Sequence, residues 1–269
     1  SGELSATALR RNLARQVSNE AGGRVIARDG LTLTAASLTN SGLMAGTDAQ
    51  FNSASVTNGG TLQGTHSLTA TGAQLTNQQA GMLLSGGALD LHHTTLNNAG
   101  LLQGNTLNLA TGEWMNTGNA LGEAGVTAAV TGTLTNSGKV LSQQALDVQA
   151  DRTDNRGQLL AKVLTLRGDL QNSGLLQGSS TLAWSGNTFA NQAQGQVTGG
   201  ETLTLSGQTL SNAGSLQGRS ATLDAAGLNN QGSVQALDAL TLAATGRLDN
   251  TGALLSQNLF TLTAAQLFN

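Results

Sequence analysis

Asparagine returns along this chain at residues 19, 40, 58, 77, 98, 116, 136, 155, 172, 191, 212, 230, 250 and 269, at intervals of 17 to 21 residues with a mean near 19. Few folds tolerate such a beat. A repeat of that size is one small supersecondary unit that cannot bury its apolar face alone, so it must stack on copies of itself.

The residues around each asparagine say what the unit is. The motif is apolar-x-Asn-x-Gly-x-apolar-x-small, as in Leu170-Gln171-Asn172-Ser173-Gly174-Leu175-Leu176-Gln177-Gly178. The residue two before Asn is apolar in thirteen of fourteen cases, with Thr153 the exception. Gly follows Asn by two in ten of thirteen complete repeats. After Asn19, Asn77 and Asn191 it comes four later, at Gly23, Gly81 and Gly195, and the next apolar residue moves with it to Val25, Leu83 and Val197. Those are the three repeats of 21 residues. Two residues have entered the turn while the strands kept register, as they must, because a one-residue slip turns every inward side chain outward.

A second apolar pair lies about ten and twelve residues past Asn: Leu68/Ala70, Leu146/Val148, Leu182/Trp184, Phe260/Leu262. Alternation of period two is a strand signal. Each repeat reads as two or three short strands joined at Asn/Gly corners, where Gly is expected to supply positive φ and Asn to tolerate it. Asn40, Asn58, Asn98, Asn136, Asn172, Asn212, Asn230 and Asn250 are read as structural corners whose amides stack along the axis. The predicted fold is all-β, a right-handed parallel β-helix of about 13–14 coils of ~19 residues. Leucine-rich repeats share the period and an asparagine ladder, but a helix or tight turn follows their strand, whereas Gly follows Asn in this chain. The Gly-Gly-x-Gly-x-Asp signature of calcium-binding β-rolls is absent.

Residues 17–269 form one array in this reading, and residues 1–16 stand apart as an irregular coil or short helix, because Leu9 and Leu13 have helical spacing beside Arg10, Arg11 and Arg15. Both ends fall inside the repeat frame, which predicts a piece of a longer array.

Composition narrows the function classes. There is no Cys, so neither disulfides nor thiolate metal sites are available. No run of 18 apolar residues offers a transmembrane helix. A net charge of -3 gives no reason to expect nucleic acid. The 15 carboxylates are mostly isolated and there are two Trp, which is a poor kit for cleaving polysaccharide. His66, His92 and His93 are read as solvated surface residues, and adjacent strand residues point to opposite faces, so His92 and His93 do not share a metal. Trp114, Trp184 and Phe189 sit in apolar slots and are read as core. Outward Thr32/Thr34, Thr202/Thr204 and Thr261/Thr263 fit exposed strand positions. Catalytic, cofactor and metal sites are all expected to be absent.

The most unusual surface is the stretch 139–169, with Lys139, Asp147, Asp151, Arg152, Asp154, Arg156, Lys162, Arg167 and Asp169. It contains Thr153 and precedes the shortest repeat. Its plain reading is solvated salt bridges; its sharper reading makes Asp151, Arg152, Asp154 and Arg156 partner contacts.

Leu38-Thr39-Asn40-Ser41-Gly42-Leu43-Met44-Ala45-Gly46 and Leu210-Ser211-Asn212-Ala213-Gly214-Ser215-Leu216-Gln217-Gly218 resemble filamentous haemagglutinin repeats over residues 17–269. The resemblance implies a shaft of a two-partner-secretion exoprotein, either an adhesin or a toxin-delivery filament of contact-dependent growth inhibition. It further implies export by an outer-membrane transporter and display on the bacterial surface. The expected function is a monomeric, non-catalytic spacer that is not membrane-embedded and projects an adhesive or toxic module. A shaft that itself binds a receptor or glycan, and a polysaccharide-degrading enzyme, are the alternatives.

Overall fold

The computed structural model describes residues 2–269. Nineteen strands and no helix make up the described residues, and strands recur with the asparagine period, about fourteen turns in the chain. The chain divides into two compact units, residues up to 132 with 138–143, and residues 133–137 with 144–269. Each unit is a parallel β-solenoid.

In the first unit, alternate residues point inward and stack on their counterparts one coil away. Leu31, Ala49, Leu68, Leu89 and Leu107 form one such column, and Leu33, Phe51, Ala70, Leu91 and Leu109 form the next. Met44, Leu62, Leu83 and Leu102 line a second wall, and Leu38, Val56, Leu75, Leu96 and Trp114 a third. All are buried. A large side chain meets a small one where Phe51 stacks on Ala70, so that neighbouring coils fill one another's space.

The second unit repeats the plan. Leu159, Leu176, Val197, Leu216 and Val234 form one wall; Thr153, Leu170, Phe189, Leu210, Leu228 and Leu248 form another. Repeat length is absorbed at corners. The 17-residue repeat ending at Asn172 meets its successor with register shifts at Ala161/Val163 and Arg167/Leu170. The 21-residue repeat that follows Asn191 pairs with its predecessor without a shift, because its surplus lies wholly in the turn.

Two expectations need correction. The short helix allowed for residues 5–16 does not form: Glu3–Ala6 and Leu9–Asn19 are strands. Leu9–Asn19 pairs in parallel with Gly30–Asn40, with one shift between Leu13 and Gln16. The helical spacing of Leu9 and Leu13 lost to the long-range ladder, since propensity is a weak prior beside tertiary pairing. The second correction concerns the corners. Among the described residues only Gly22 and Gly168 have positive φ, and no other residue type does. The corner glycines are required by close approach instead. A Cβ on Gly60 would strike the carbonyl oxygen of Gly42, and one on Gly174 that of Gly157. That closeness lets Thr61 N–H donate to Gly42 O at 2.8 Å and Leu175 N–H to Gly157 O at 2.9 Å, carrying the ladder through the corner.

Candidate functional site

Buried at each corner, an asparagine amide is bonded along the stack. In the first unit Asn40 Nδ2 donates to Asn58 Oδ1 at 2.8 Å, Asn58 to Asn77 at 2.9 Å, and Asn98 to Asn116 at 2.8 Å. In the second unit the series runs from Asn136 to Asn155 and on through Asn172, Asn191, Asn212, Asn230, Asn250 and Asn269, every step between 2.7 and 2.9 Å. Each amide has two N–H groups. One serves the next asparagine. The other lies between two carbonyls, as at Asn172, whose Nδ2 is 3.1 Å from Gly174 O and 3.4 Å from Gln196 O. The side chain thus ties its own turn to the coil above, and every donor points the same way.

The charged stretch gives solvated pairs within the second unit. Arg156 holds Asp154 at 2.8 Å, Arg167 pairs with Asp147, and Arg152 donates to Gln171 Oε1 at 2.7 Å. Asp169 accepts from Thr188 N–H at 3.0 Å. Asp151 is exposed. Asp151, Arg152, Asp154 and Arg156 lie along one coil and its turn, but Thr153 and Asn155 between them are buried. Thr153, 2% exposed, stands below Leu170 in the inward column, so the broken apolar slot is still a core slot.

The histidines divide. His66 is exposed; its Nδ1 lies 2.7 Å from Asp48 Oδ1, which also accepts from Ser67 Oγ at 2.6 Å. The Ser67 and His66 hydrogen bonds hold the Asp48 carboxyl below its usual range. His92 is exposed. His93 corrects the surface reading: it is 5% exposed and neither ring nitrogen has a hydrogen-bond partner. Burial first, and the neighbouring His92 charge second, push it down to about 4. The sequence did hold the signal. His93 sits at a small inward slot, in register with Gly72 before it and Thr111 after it.

Trp114, Trp184 and Phe189 are buried. Trp184 packs against Phe189 with ring centroids 5.2 Å apart and donates its Nε1–H to Gly168 O at 2.8 Å. Its ring lies over Gly186 and Gly207, where side chains would collide with it. Among the described residues no group of three or more His, Asp or Glu could hold a metal, and no helix is long and apolar enough to cross a membrane.

The haemagglutinin repeat family model matches residues 1–50, 45–138, 116–207, 164–252 and 235–269. The chain is 35% identical over 234 residues to the tRNA nuclease CdiA of Escherichia coli O6:K15:H31, a match covering 83% of this chain and 7% of that protein. It is 36% identical over 218 residues to the deoxyribonuclease CdiA of Dickeya dadantii, covering 80% of this chain and 6% of that protein. To the 16S rRNA endonuclease CdiA of Enterobacter cloacae subsp. cloacae it is 32% identical over 262 residues, 87% of this chain and 8% of that protein. The chain therefore spans less than a tenth of the curated relatives it matches. No solved structure matches it significantly.

Proposed function

The chain belongs to the haemagglutinin repeat family, and from that membership we propose that it is a non-catalytic shaft segment of a secreted, surface-displayed exoprotein, holding an adhesive or toxic module away from the cell. The ladder of buried asparagines is the observation that carries this reading. Within each unit it ties one coil to the next, and the inward columns beside it are almost wholly aliphatic. A continuous hydrogen-bonded stack around such a core resists bending and needs no reactive group.

The relatives' names describe three different nucleic-acid cleavages, yet all three share these repeats. In those proteins, an activity that changes while the repeats stay is best placed outside the matched repeats, because function lives in sites and not in folds. Export through an outer-membrane transporter of the two-partner type follows from the same family membership, as does a location outside the cell. A surface role for Asp151, Arg152, Asp154 and Arg156 belongs to the second reading, in which the shaft itself grips a receptor or glycan.

A fourfold variant separates the two. In a full-length exoprotein carrying this segment, Asp151, Arg152, Asp154 and Arg156 are all replaced by Thr or Ser. The shaft reading expects unchanged attachment to target cells and unchanged delivery. Loss of attachment with the fold intact by circular dichroism would transfer the function to the charged coil.

A further inference from the structure

We propose that the coil around His93 is an acid-sensitive weak point of the first unit, where protonation of one buried imidazole loosens strand Ala88–Asn98 from the strands on either side. The geometry is specific. The inward slot that holds His93 is filled in neighbouring coils by small residues: Ala35, Ser53, Gly72 and Thr111. Gly72 is small of necessity, since a Cβ there would collide with the carbonyl of Ser53. It offers the imidazole no polar side chain. Thr111 turns its hydroxyl proton to Glu113 O at 2.9 Å and makes no hydrogen bond to the ring. Ser53 Oγ, in the same column, is itself buried and unpartnered. Neither ring nitrogen is hydrogen-bonded, so burial holds the imidazole neutral, and the protonated ring gains no bond to offset its lost hydration.

The surrounding charges do not rescue it. On its own strand stand Asp90 and His92; the strand Thr61–Asn77 contributes only His66, Leu101–Asn116 only Glu113, and Met82–Ser85 none. Asp90 shares its carboxylate with Asn108 Nδ2 at 2.7 Å, and His66 faces Asp48. Glu113 is in register with Thr95, two residues along, on an outward position. Among the described residues, the charge that shifts His93 is that of His92, and it repels. The second unit shows the contrast: its Trp184 is also a buried ring with a polar N–H, and a carbonyl is provided for it.

The sign follows from linkage. The folded chain releases the His93 proton more readily than the unfolded chain does, so this stabilisation is whole above about pH 6.5 and declines as pH falls toward about 4. Between pH 7 and pH 5 the equilibrium constant for opening the coil should rise about 20-fold.

Hydrogen–deuterium exchange read by mass spectrometry, corrected for intrinsic exchange at each pH, tests this on the 269-residue chain. Peptides from 67–116 should lose protection about 20-fold from pH 7 to pH 5, while those from 30–58 hold theirs. His93→Ala, which copies Ala35, should flatten that response, and His92→Ala should keep most of it. Should His93→Ala fail to fold, His93→Thr copies the next coil and serves instead. A response that survives in both His93 variants, that spreads evenly over the unit, or that is absent from the parent overturns the proposal.

Discussion

Asn172 accepts one hydrogen bond, from Asn155, and donates toward Asn191 Oδ1, Gly174 O and Gln196 O. Removing such a side chain strands a buried donor below and buried acceptors above, which costs more than the bonds were worth. Asn172→Ala should destabilise the chain by about 2–3 kcal/mol in urea denaturation at pH 7. Asn172→Asp should be worse, although it differs by one atom, because the new oxygen faces three carbonyl oxygens. An Asn172→Asp variant as stable as the parent would show that shape, and not donor direction, matters at the corner. Trp184→Phe is the milder companion. It keeps the packing on Phe189 and strips the N–H from Gly168 O, for an expected loss of about 1 kcal/mol.

At the scale of the element, the long and short turns differ by a detour that leaves the strands alone. In the long form Gly81 N–H closes a small turn on Gln78 O at 2.8 Å before Met82 N–H rejoins the ladder at Gly60 O. The short form runs from Asn58 through Gly60 to Thr61, whose N–H reaches Gly42 O at the same 2.8 Å. Deleting Gln79 and Ala80 together should convert one form to the other, with a thermal midpoint close to the parent's by circular dichroism. Deleting Gln79 alone leaves a turn of neither form and should lower the midpoint several times more. Strand alternation and turn length were legible in the sequence because register leaves a periodic trace. The reason for glycine at the corners was not, since a residue demanded by positive φ and one demanded by a neighbouring coil's carbonyl look alike along the chain. His93 was missed for a related reason: its slot is set by residues 21 and 18 positions away, Gly72 and Thr111, and the helical spacing of Leu9 and Leu13 misled because pairing with Gly30–Asn40 is equally remote.

For the whole molecule, stability in a stack is a sum over coils and the contacts between neighbours. In an isolated 269-residue chain the last coil meets a neighbour on one side only. Phe260 and Leu267 are about half exposed, whereas Leu240 and Leu248, their counterparts one coil earlier, are fully buried. The unmet contact is apolar, and covering Phe260 and Leu267 should contribute a few kcal/mol. A copy of residues 231–250 placed after Asn269 should therefore slow exchange of the amides in Leu259–Phe268 by at least tenfold, while leaving exchange in Leu175–Asn191 as it was. Gain confined to the adjoining coil is what nearest-neighbour stacking requires. It is also what the proposed shaft requires, because a stack that adds one coil at a time without disturbing the others has no preferred length. If the added coil instead raised protection throughout the second unit, folding there would be all-or-none, and length could not be varied so freely.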